Sequence, residues 1–554
     1  MQSRRALVVV GTLFALIGSG VAIDELDWFA PLRAVVRDRT VDREALDRGA
    51  LGEILLSEGL VYPTNSAEDG RWRRRQVRPV YRADPTRRPV EPVAPPADAL
   101  AHGWPVVAVS IDEDRLYDDE RGLFVNWEER WEAPAHVAYF EDGEQLFETG
   151  CGLRLHGGTS RKAYVQEERG VTWRSVRLYF REGYGLDQAP DGVFFGPEYD
   201  PIDRLVVRGD SAISSALSFD ISRRLGATAP PMRPGLYVLN GEIQGLFSMT
   251  LHLTRSVWEE VLGHEDFAFY RMRGGAVPED EAAFHELEDW VASLAPGEFT
   301  WEGIDARVDL DHLIRHLFTI AWCGTDDWAQ GAAVLDRSED EPRWRWVHWD
   351  MDRSFRYSLT VLEDQEPWQK HGIDLLLGRG EVEEGLLRER DFQLDGVRGR
   401  LFAGLVRDSE VFRQRFAAFA SEAINHRLSR DFFVDRLEYY STYTTASGIG
   451  RSERQRVVQF FRRRSPFLQA ELACAFGLDG PFALTLVVPV GLEVQVDGQA
   501  VPPDWSGSYL AGQEVVLDAR GGVKGTWQVD GRVVGEGRSV SVPMTRDLEL
   551  RWVE

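Results

Sequence analysis

The stretch that most restricts how this chain can fold is residues 343–355, Arg-Trp-Arg-Trp-Val-His-Trp-Asp-Met-Asp-Arg-Ser-Phe. It alternates as a strand does, with Trp344, Trp346 and His348 on one side and Arg345, Val347 and Trp349 on the other. It ends on two carboxylates, Asp350 and Asp352. On an extended backbone, residues two apart share a face, so these acids repel unless a cation stands between them. A divalent ion such as Mg²⁺, which takes a few carboxylates together with phosphate oxygens, resolves the repulsion. So does a simpler arrangement, in which one Asp caps the next helix and the other pairs with Arg353. The stretch alone leaves both open.

A chain of 554 residues exceeds a single ordinary core, and two to four domains are expected. The net charge of −26 argues against a nucleic-acid partner, because such binding rests on neutralising phosphates with Lys and Arg. Cys151, Cys323 and Cys474 are too few, and odd in number, for a disulfide framework or a zinc site; they read as buried thiols. Arg4 and Arg5 precede an uncharged run, residues 6–23, which Asp24 closes. That is a positive segment followed by an apolar one, between a signal sequence and a short membrane span in length. In either case the positive-inside rule places the rest of the chain outside the cytoplasm, secreted or attached to a membrane through residues 6–23.

In order, residues 24–103 read as a short helical region and a Pro- and Arg-rich linker. Residues 104–149 read as strands, with a hairpin at Asp142-Gly143 flanked by segments 136–140 and 145–149. Strands 151–156 and 175–180 flank Gly157-Gly158-Thr159-Ser160-Arg161-Lys162, a turn whose N–H groups and cations can hold phosphate. Next come a strand at 204–208, a helix at 211–225 closed by Gly226, and strands 235–239 and 246–253 joined at Asn240-Gly241. Residues 255–325 are mostly helical; His312 and His316 stand four apart on the helix 311–322. Without the Glu of a His-Glu-x-x-His pattern they read as a packed or solvated pair. An acidic loop with Asp326 and Asp327 leads to strand 332–336 and then to the tryptophan strand. Residues 370–477 read as helical, with long amphipathic runs at 401–424 and 453–476. Residues 479–554 read as a small sandwich of short strands, with turns at Asp497-Gly498, Ser506-Gly507, Gly521-Gly522 and Asp530-Gly531.

A Gly/Ser/Arg/Lys turn, an acidic loop after a helix and a second acidic site after a strand are the parts that phosphoryl transfer requires: cations for phosphates, a carboxylate for the acceptor hydroxyl, and carboxylates for Mg²⁺. The chain has neither the His-Arg-Asp nor the Asp-Phe-Gly sequence of ordinary protein kinases. Gly152-Leu-Arg-Leu-His-Gly-Gly-Thr-Ser-Arg161, Ser175-Val-Arg-Leu-Tyr-Phe, Tyr184-Gly185, Leu205-Val-Val-Arg208, Asp220-Ile-Ser-Arg-Arg-Leu-Gly226, Tyr237-Val-Leu-Asn-Gly-Glu-Ile-Gln-Gly245, Asp326-Asp-Trp and His348-Trp-Asp-Met-Asp-Arg-Ser-Phe355 follow one another in that order. In these motifs the chain resembles the CotH family of atypical, secreted or spore-coat protein kinases, over roughly residues 104–475. The resemblance implies a divergent protein-kinase-like core at 104–478; with the patterns read above, the expected fold is α/β (α+β), with a helical C-terminal half and a small all-β domain at 479–554. It also implies ATP with Mg²⁺ or Mn²⁺ and transfer to Ser/Thr of an acceptor protein.

Carried over residue by residue, Asp327 or Asp326 faces the acceptor hydroxyl, with Asp327 the better match. Asp350 holds the metal, and Asp352 supports it or takes a second ion. Arg177 and Arg208 contact phosphates or brace the acids, while Arg161 and Lys162 close over the nucleotide. The chain departs from the family pattern at Gln330, where an Asn is usual, at Arg174, where a Lys is frequent, and at Leu251, near where a Glu is common. These departures favour a second reading, a pseudokinase or surface scaffold without catalysis. A third is a metal-dependent phosphohydrolase using the same acids.

Overall fold

The computed structural model describes residues 90–157, 161, 164–166, 171–209, 212–272, 276–328, 330–355, 366–379, 396–447, 451–521 and 525–553. The N-terminal apolar run, the linker up to residue 89 and Lys162 lie outside the described residues. No helix among the described residues is long and apolar enough to cross a membrane. The fold is α+β, with several sheets and a largely separate set of helices.

The first strands are β1 (Val106–Ser110), β2 (Ala133–Glu141) and β3 (Glu144–Leu155), followed by a small ribbon of β4 (Tyr164–Gln166) and β5 (Val171–Trp173). Then come β6 (Val176–Tyr179), β7 (Arg204–Arg208), β8 (Met232–Leu239) and β9 (Glu242–Leu251). Seven of these close into a barrel in the order β1-β2-β3-β6-β7-β9-β8. The β1–β8 seam is parallel and the other pairings are antiparallel. Period-two alternation decides what fills it. Leu153, Leu155, Val176, Leu178, Leu205 and Val207 pack inside, and Arg154, Arg177, Arg204 and Arg208 take the alternate positions. Strand β1 is buried along its whole length. Val107 and Val109 face the barrel core, while Val106 and Ala108 join a small cluster with Trp104, Phe140 and Val238.

Both expected hairpin turns are present. Asp142 and Gly143 have φ of 53° and 78°, and Asn240 and Gly241 have φ of 49° and 81°. Two positive φ values in succession are what a two-residue hairpin of the right twist needs. The expected separate strands 145–149 and 151–156 are one continuous β3. Gly150 reads as a break, but the backbone of Tyr184 crosses there, and a Cβ would lie 1.9 Å from its carbonyl oxygen.

The helical half holds α1 (Ala212–Arg224), α2 (Arg255–Leu262), α3 (Pro278–Ser293), α4 (Leu310–Cys323), α5 (Val397–Asp408), α6 (Glu410–Glu422), α7 (Arg430–Ser447) and α8 (Arg451–Phe476). A three-stranded sheet, β10 (Phe267–Arg271), β11 (Ala332–Asp336) and β12 (Trp344–Val347), packs with them. Trp322, Trp346, Phe318 and Phe355 are fully buried in this core. The amphipathic run 401–424 is two helices rather than one. The side chain of Ser409 accepts from the Phe412 N–H and starts α6, although the apolar period continues through it.

The expected strand 343–355 ends at Val347. Asp350 then adopts a left-handed conformation (φ 59°, ψ 47°), and Met351–Arg353 forms a 3₁₀ turn. Asp350 and Asp352 are therefore brought together by a tight turn and not by an extended backbone. In the tryptophan strand, Trp344 and Trp346 are buried, while half-buried Arg345 is held by Asp309 and Glu339.

The C-terminal strands are β13 (Phe482–Val487), β14 (Val494–Val496), β15 (Gln499–Val501), β16 (Ser506–Tyr509), β17 (Glu514–Ala519), β18 (Thr526–Val529), β19 (Arg532–Glu536), β20 (Ser539–Pro543) and β21 (Leu548–Val553). They form two sheets, ordered β16-β13-β21-β18-β19 and β15-β14-β17-β20, around a core with Trp527 and Trp552. Asp497-Gly498 and Asp530-Gly531 are turns, as expected. Ser506-Gly507 is not: it opens β16, and Gly507 is needed because a Cβ would sit 2.3 Å from the Trp505 ring. Asn425 exchanges two hydrogen bonds with the Ser508 backbone, at 2.9 and 3.0 Å, tying the sandwich to the helical half. Cys151 and Cys323 are buried thiols, but Cys474 is exposed on α8.

Candidate active site

Helix α4 ends at Gly324 (φ 62°), whose N–H returns to the last turn, and the chain leaves it carrying Asp326 and Asp327. The loop must then enter β11 hard against the end of β12. Gly331 allows this, since a Cβ there would lie 2.4 Å from the Val347 carbonyl oxygen. The acidic loop and the segment leading to Asp350 are thus neighbours because of a backbone approach that tolerates no side chain.

The two loop acids have different surroundings. Asp326 is buried, with the Arg353 Nε at 3.1 Å from one oxygen and the Lys370 Nζ at 3.4 Å from the other. Lys370 also donates to the Gly324 carbonyl at 2.9 Å, so the pair locks the loop to the end of α4. A carboxylate held by two cations in this way is a poor acceptor for a hydroxyl proton. Asp327 is half-buried and accepts from the Gln330 side-chain amide at 2.9 Å. Gln330, which replaces the expected Asn, thus orients the loop acid. Its own carbonyl accepts from Arg398 at 3.2 Å, and Arg398 in turn contacts His316 Nε2 at 2.8 Å. His316 stacks on His348 at 3.9 Å, and His312 meets the Thr228 hydroxyl at 3.0 Å, so the two α4 histidines are packed rather than metal-binding.

Burial pushes the Lys370 ammonium down to about 8, with the Asp326 carboxylate opposing the shift. The ordinary value is ~10.4, so between these limits the unfolded chain keeps a proton that the folded chain has lost. Stability from this site is flat below about pH 8 and rises above it. Between about pH 7.5 and about pH 9.5 the unfolding free energy of the native protein should increase by roughly 2 kcal/mol more than that of Lys370→Met. Urea titrations at the two pH values measure the difference.

Asp350 pairs with the Arg208 guanidinium, which also lies 3.9 Å from Asp352. Among the described residues, Arg208 from the barrel therefore lies against both acids at the junction with the helical half. Among the described residues, Arg353 pairs with Asp326. Arg177 does not touch the acids. Its two terminal nitrogens go to His156 Nδ1 and the Tyr179 hydroxyl, each at 2.7 Å. His156 is held well below the usual histidine range by burial, reinforced by Arg177. His252 is lowered in the same way and meets Arg271 at 3.4 Å. Both rings are thus neutral acceptors for guanidinium groups. Trp349 closes the junction, edge-on to His156 at 6.4 Å and 5.9 Å from Arg208.

Arg161 is buried, and its carbonyl accepts from Arg174 at 3.3 Å. Arg174 also donates to the Phe124 carbonyl and lies over that ring at 4.2 Å, which makes it a brace for the turn. Leu251 packs inside the barrel, so a Glu there would have been buried in apolar core; its neighbour His252 carries the polar contact to Arg271. Sequence reasoning missed Arg271, His252, His156 and Lys370 as parts of this site. Arg271 left a signal, a cation ending the apolar run Phe-Ala-Phe-Tyr. Lys370 left none, because its partner is distant in sequence.

Two partly exposed carboxylates gathered at one cation are oxygen donors suited to a hard divalent ion. Among the described residues, the cluster of three metal-type side chains, His371, Asp374 and Glu471, lies elsewhere, where the segment 371–374 meets α8. Asp350 and Asp352 alone fit an ion that arrives with phosphate oxygens, since Mg²⁺ takes only one or two carboxylates in such sites.

The structure thus defines an α+β protein with paired acids at the junction of a barrel and a helical half. Residues 207–452 match the family model described as CotH kinase protein. The match runs from within β7 to the start of α8 and leaves β1–β6 and the sandwich outside it. No curated protein matches the chain.

Proposed function

We propose that this chain is a metal-dependent phosphotransferase that moves the γ-phosphoryl group of ATP to Ser or Thr of a protein outside the cytoplasm. The observation that carries the reading is the convergence of Asp350 and Asp352 on Arg208 beside the Asp327 loop. The barrel and the helical half would serve as the two lobes of a divergent kinase-like core. Asp350, with Asp352, would hold Mg²⁺ or Mn²⁺, which would neutralise charge on the phosphates. Arg208 and Arg177 would contact the phosphates, and Arg161 and Lys162 would close over the nucleotide. Asp327, oriented by Gln330, would accept the proton of the attacking hydroxyl. Asp326 keeps the loop in place. The extracytoplasmic location rests on residues 4–24.

A second reading is a pseudokinase or envelope scaffold. Arg208 already neutralises Asp350, and Gln330 stands where a second metal ligand is expected. The two are separated by incubating the full chain with radiolabelled ATP, Mn²⁺ or Mg²⁺ and a panel of Ser/Thr-containing proteins. Label on Ser or Thr that depends on the metal and on Asp327 supports transfer. Free phosphate without labelled protein points to hydrolysis, and no turnover with retained nucleotide binding points to the pseudokinase.

A further inference from the structure

The outer face of β3, β6 and β7 carries a concentration of positive charge of which the proposed nucleotide contacts use only Arg177. Four guanidinium groups surround one phenol ring, with Arg181 at 4.7 Å, Arg154 at 5.5 Å, Arg177 at 5.7 Å and Arg204 at 5.8 Å from the centre of Tyr179. Arg154 and Arg177 are directly opposite each other across the β3–β6 pair, where like charges are destabilising. The nearby carboxylates compensate only part of this charge: Glu132 pairs with Arg181 at 3.2 Å and Asp203 with Arg204 at 2.7 Å. Among the described residues, the hydrogen-bond partners of Arg154 and Arg177 are neutral, the Tyr179 hydroxyl for both and His156 for Arg177. Half-buried guanidinium groups held by neutral partners, in a chain of net charge −26, form a local site for an anion.

The strand geometry indicates which anion. Arg208, at the Asp350 corner, and Arg204 stand four residues apart on β7, about 13 Å at 3.3 Å per residue. Arg177 lies between the two regions. An extended peptide whose hydroxyl reached Asp327 would cover that distance in about four residues. Arg181, at the far end, is exposed and thus available to a partner arriving from solvent.

We propose that Arg154, Arg181 and Arg204, arranged around Tyr179, dock a carboxylate-rich segment of the acceptor protein, about four residues from the hydroxyl that is phosphorylated. The proposal rests on the phosphotransferase reading for the acceptor's chemistry, but binding alone can test it. The probe is a fluorescein-labelled peptide, Gly-Ser-Gly-Gly-Gly-Glu-Glu-Glu-Glu, beside one with Lys in place of Glu, titrated with the full chain by anisotropy. The Glu peptide should bind at least about tenfold more tightly than the Lys peptide, and weaken on going from about 50 mM to about 300 mM salt. The double variant Arg154→Glu/Arg204→Glu should lose that preference, and Arg154→Gln/Arg204→Gln should lose part of it. Both should bind Mg·ATP as the native chain does, with unchanged circular dichroism.

Equal binding of the two peptides by the native protein overturns the proposal, as does a fall in ATP affinity in the variants, which would assign the cluster to the nucleotide. If the native chain binds the Glu peptide but no ATP, the docking surface stands and the phosphotransferase reading fails. If it binds ATP but shows no peptide preference, only the docking surface fails.

Discussion

Asp350→Asn should lower metal- and ATP-dependent transfer by about a thousandfold while leaving the fold intact. Asn keeps the shape of the side chain and tolerates the left-handed conformation that this position adopts (φ 59°). Its amide oxygen can still accept from Arg208, whose side chain is only 7% exposed and would be costly to leave without a partner. What Asn removes is the charge that would hold the ion. Asp350→Ala is a poorer test, because Ala lacks the short polar side chain that eases a left-handed backbone and strips Arg208 of the Asp350 carboxylate. Asp327→Asn should also abolish transfer with little effect on melting. Asp326→Asn should act differently, lowering the melting temperature because Arg353 and Lys370 lose their shared counter-charge. Initial rates and thermal melts of the three variants separate these roles. If Asp350→Asn lost rate only in proportion to lost folded protein, its assignment to the metal would be wrong.

Arg464→Met should destabilise the helical half by about 3–5 kcal/mol, the range expected when a buried hydrogen-bonded charge network is broken from one side. Arg464 is fully buried within α8. It donates to the carbonyls of Ala321 and Trp322 in the last turn of α4, and to those of Trp368 and Lys370. Last-turn carbonyls lack an i+4 helical donor; the Gly324 N–H reaches the Ala321 carbonyl at 3.2 Å, and Arg464 supplies the donor for the Trp322 carbonyl and a second one for Ala321. Burial lowers the Arg464 proton affinity, but a guanidinium keeps its charge at neutral pH. Met fills similar volume without donors, leaving the Trp322, Trp368 and Lys370 carbonyls without the guanidinium, while the Ala321 carbonyl keeps only the Gly324 N–H at 3.2 Å. The same residue supports the loop that holds Lys370 against Asp326, so the acidic loop should loosen as well. Denaturant titration of the variant gives the stability loss, and hydrogen exchange at residues 320–328 gives the local effect. A loss below about 1 kcal/mol would show that water replaces the guanidinium at these carbonyls.

Much of the barrel could be read from the chain because its signals are local. Asp142-Gly143 and Asn240-Gly241 set hairpins by their own backbone preferences, and alternation in β3, β6 and β7 separates core Leu and Val from outward Arg. The errors came where packing or capping, rather than the hydrophobic period, decided the conformation. Gly150 and Gly507 read as breaks, but they are glycine because Tyr184 and Trp505 occupy the space a Cβ would take. Ser409 divides a helix without disturbing its apolar period. At the candidate site, Asp327, Asp350 and Asp352 stood out as acids at element ends. The partners that distinguish them, Arg208 for Asp350 and the Arg353–Lys370 pair for Asp326, come from other elements and leave no spacing signal.

Isothermal titration of the full chain with ATP, in Mg²⁺ or Mn²⁺ and in excess chelator, beside Asp350→Asn, tests the phosphotransferase reading most directly. Binding that requires the ion and weakens by about tenfold or more in the variant is the predicted result. No binding at millimolar ATP with either ion, or binding indifferent to the ion and to Asp350, would contradict it.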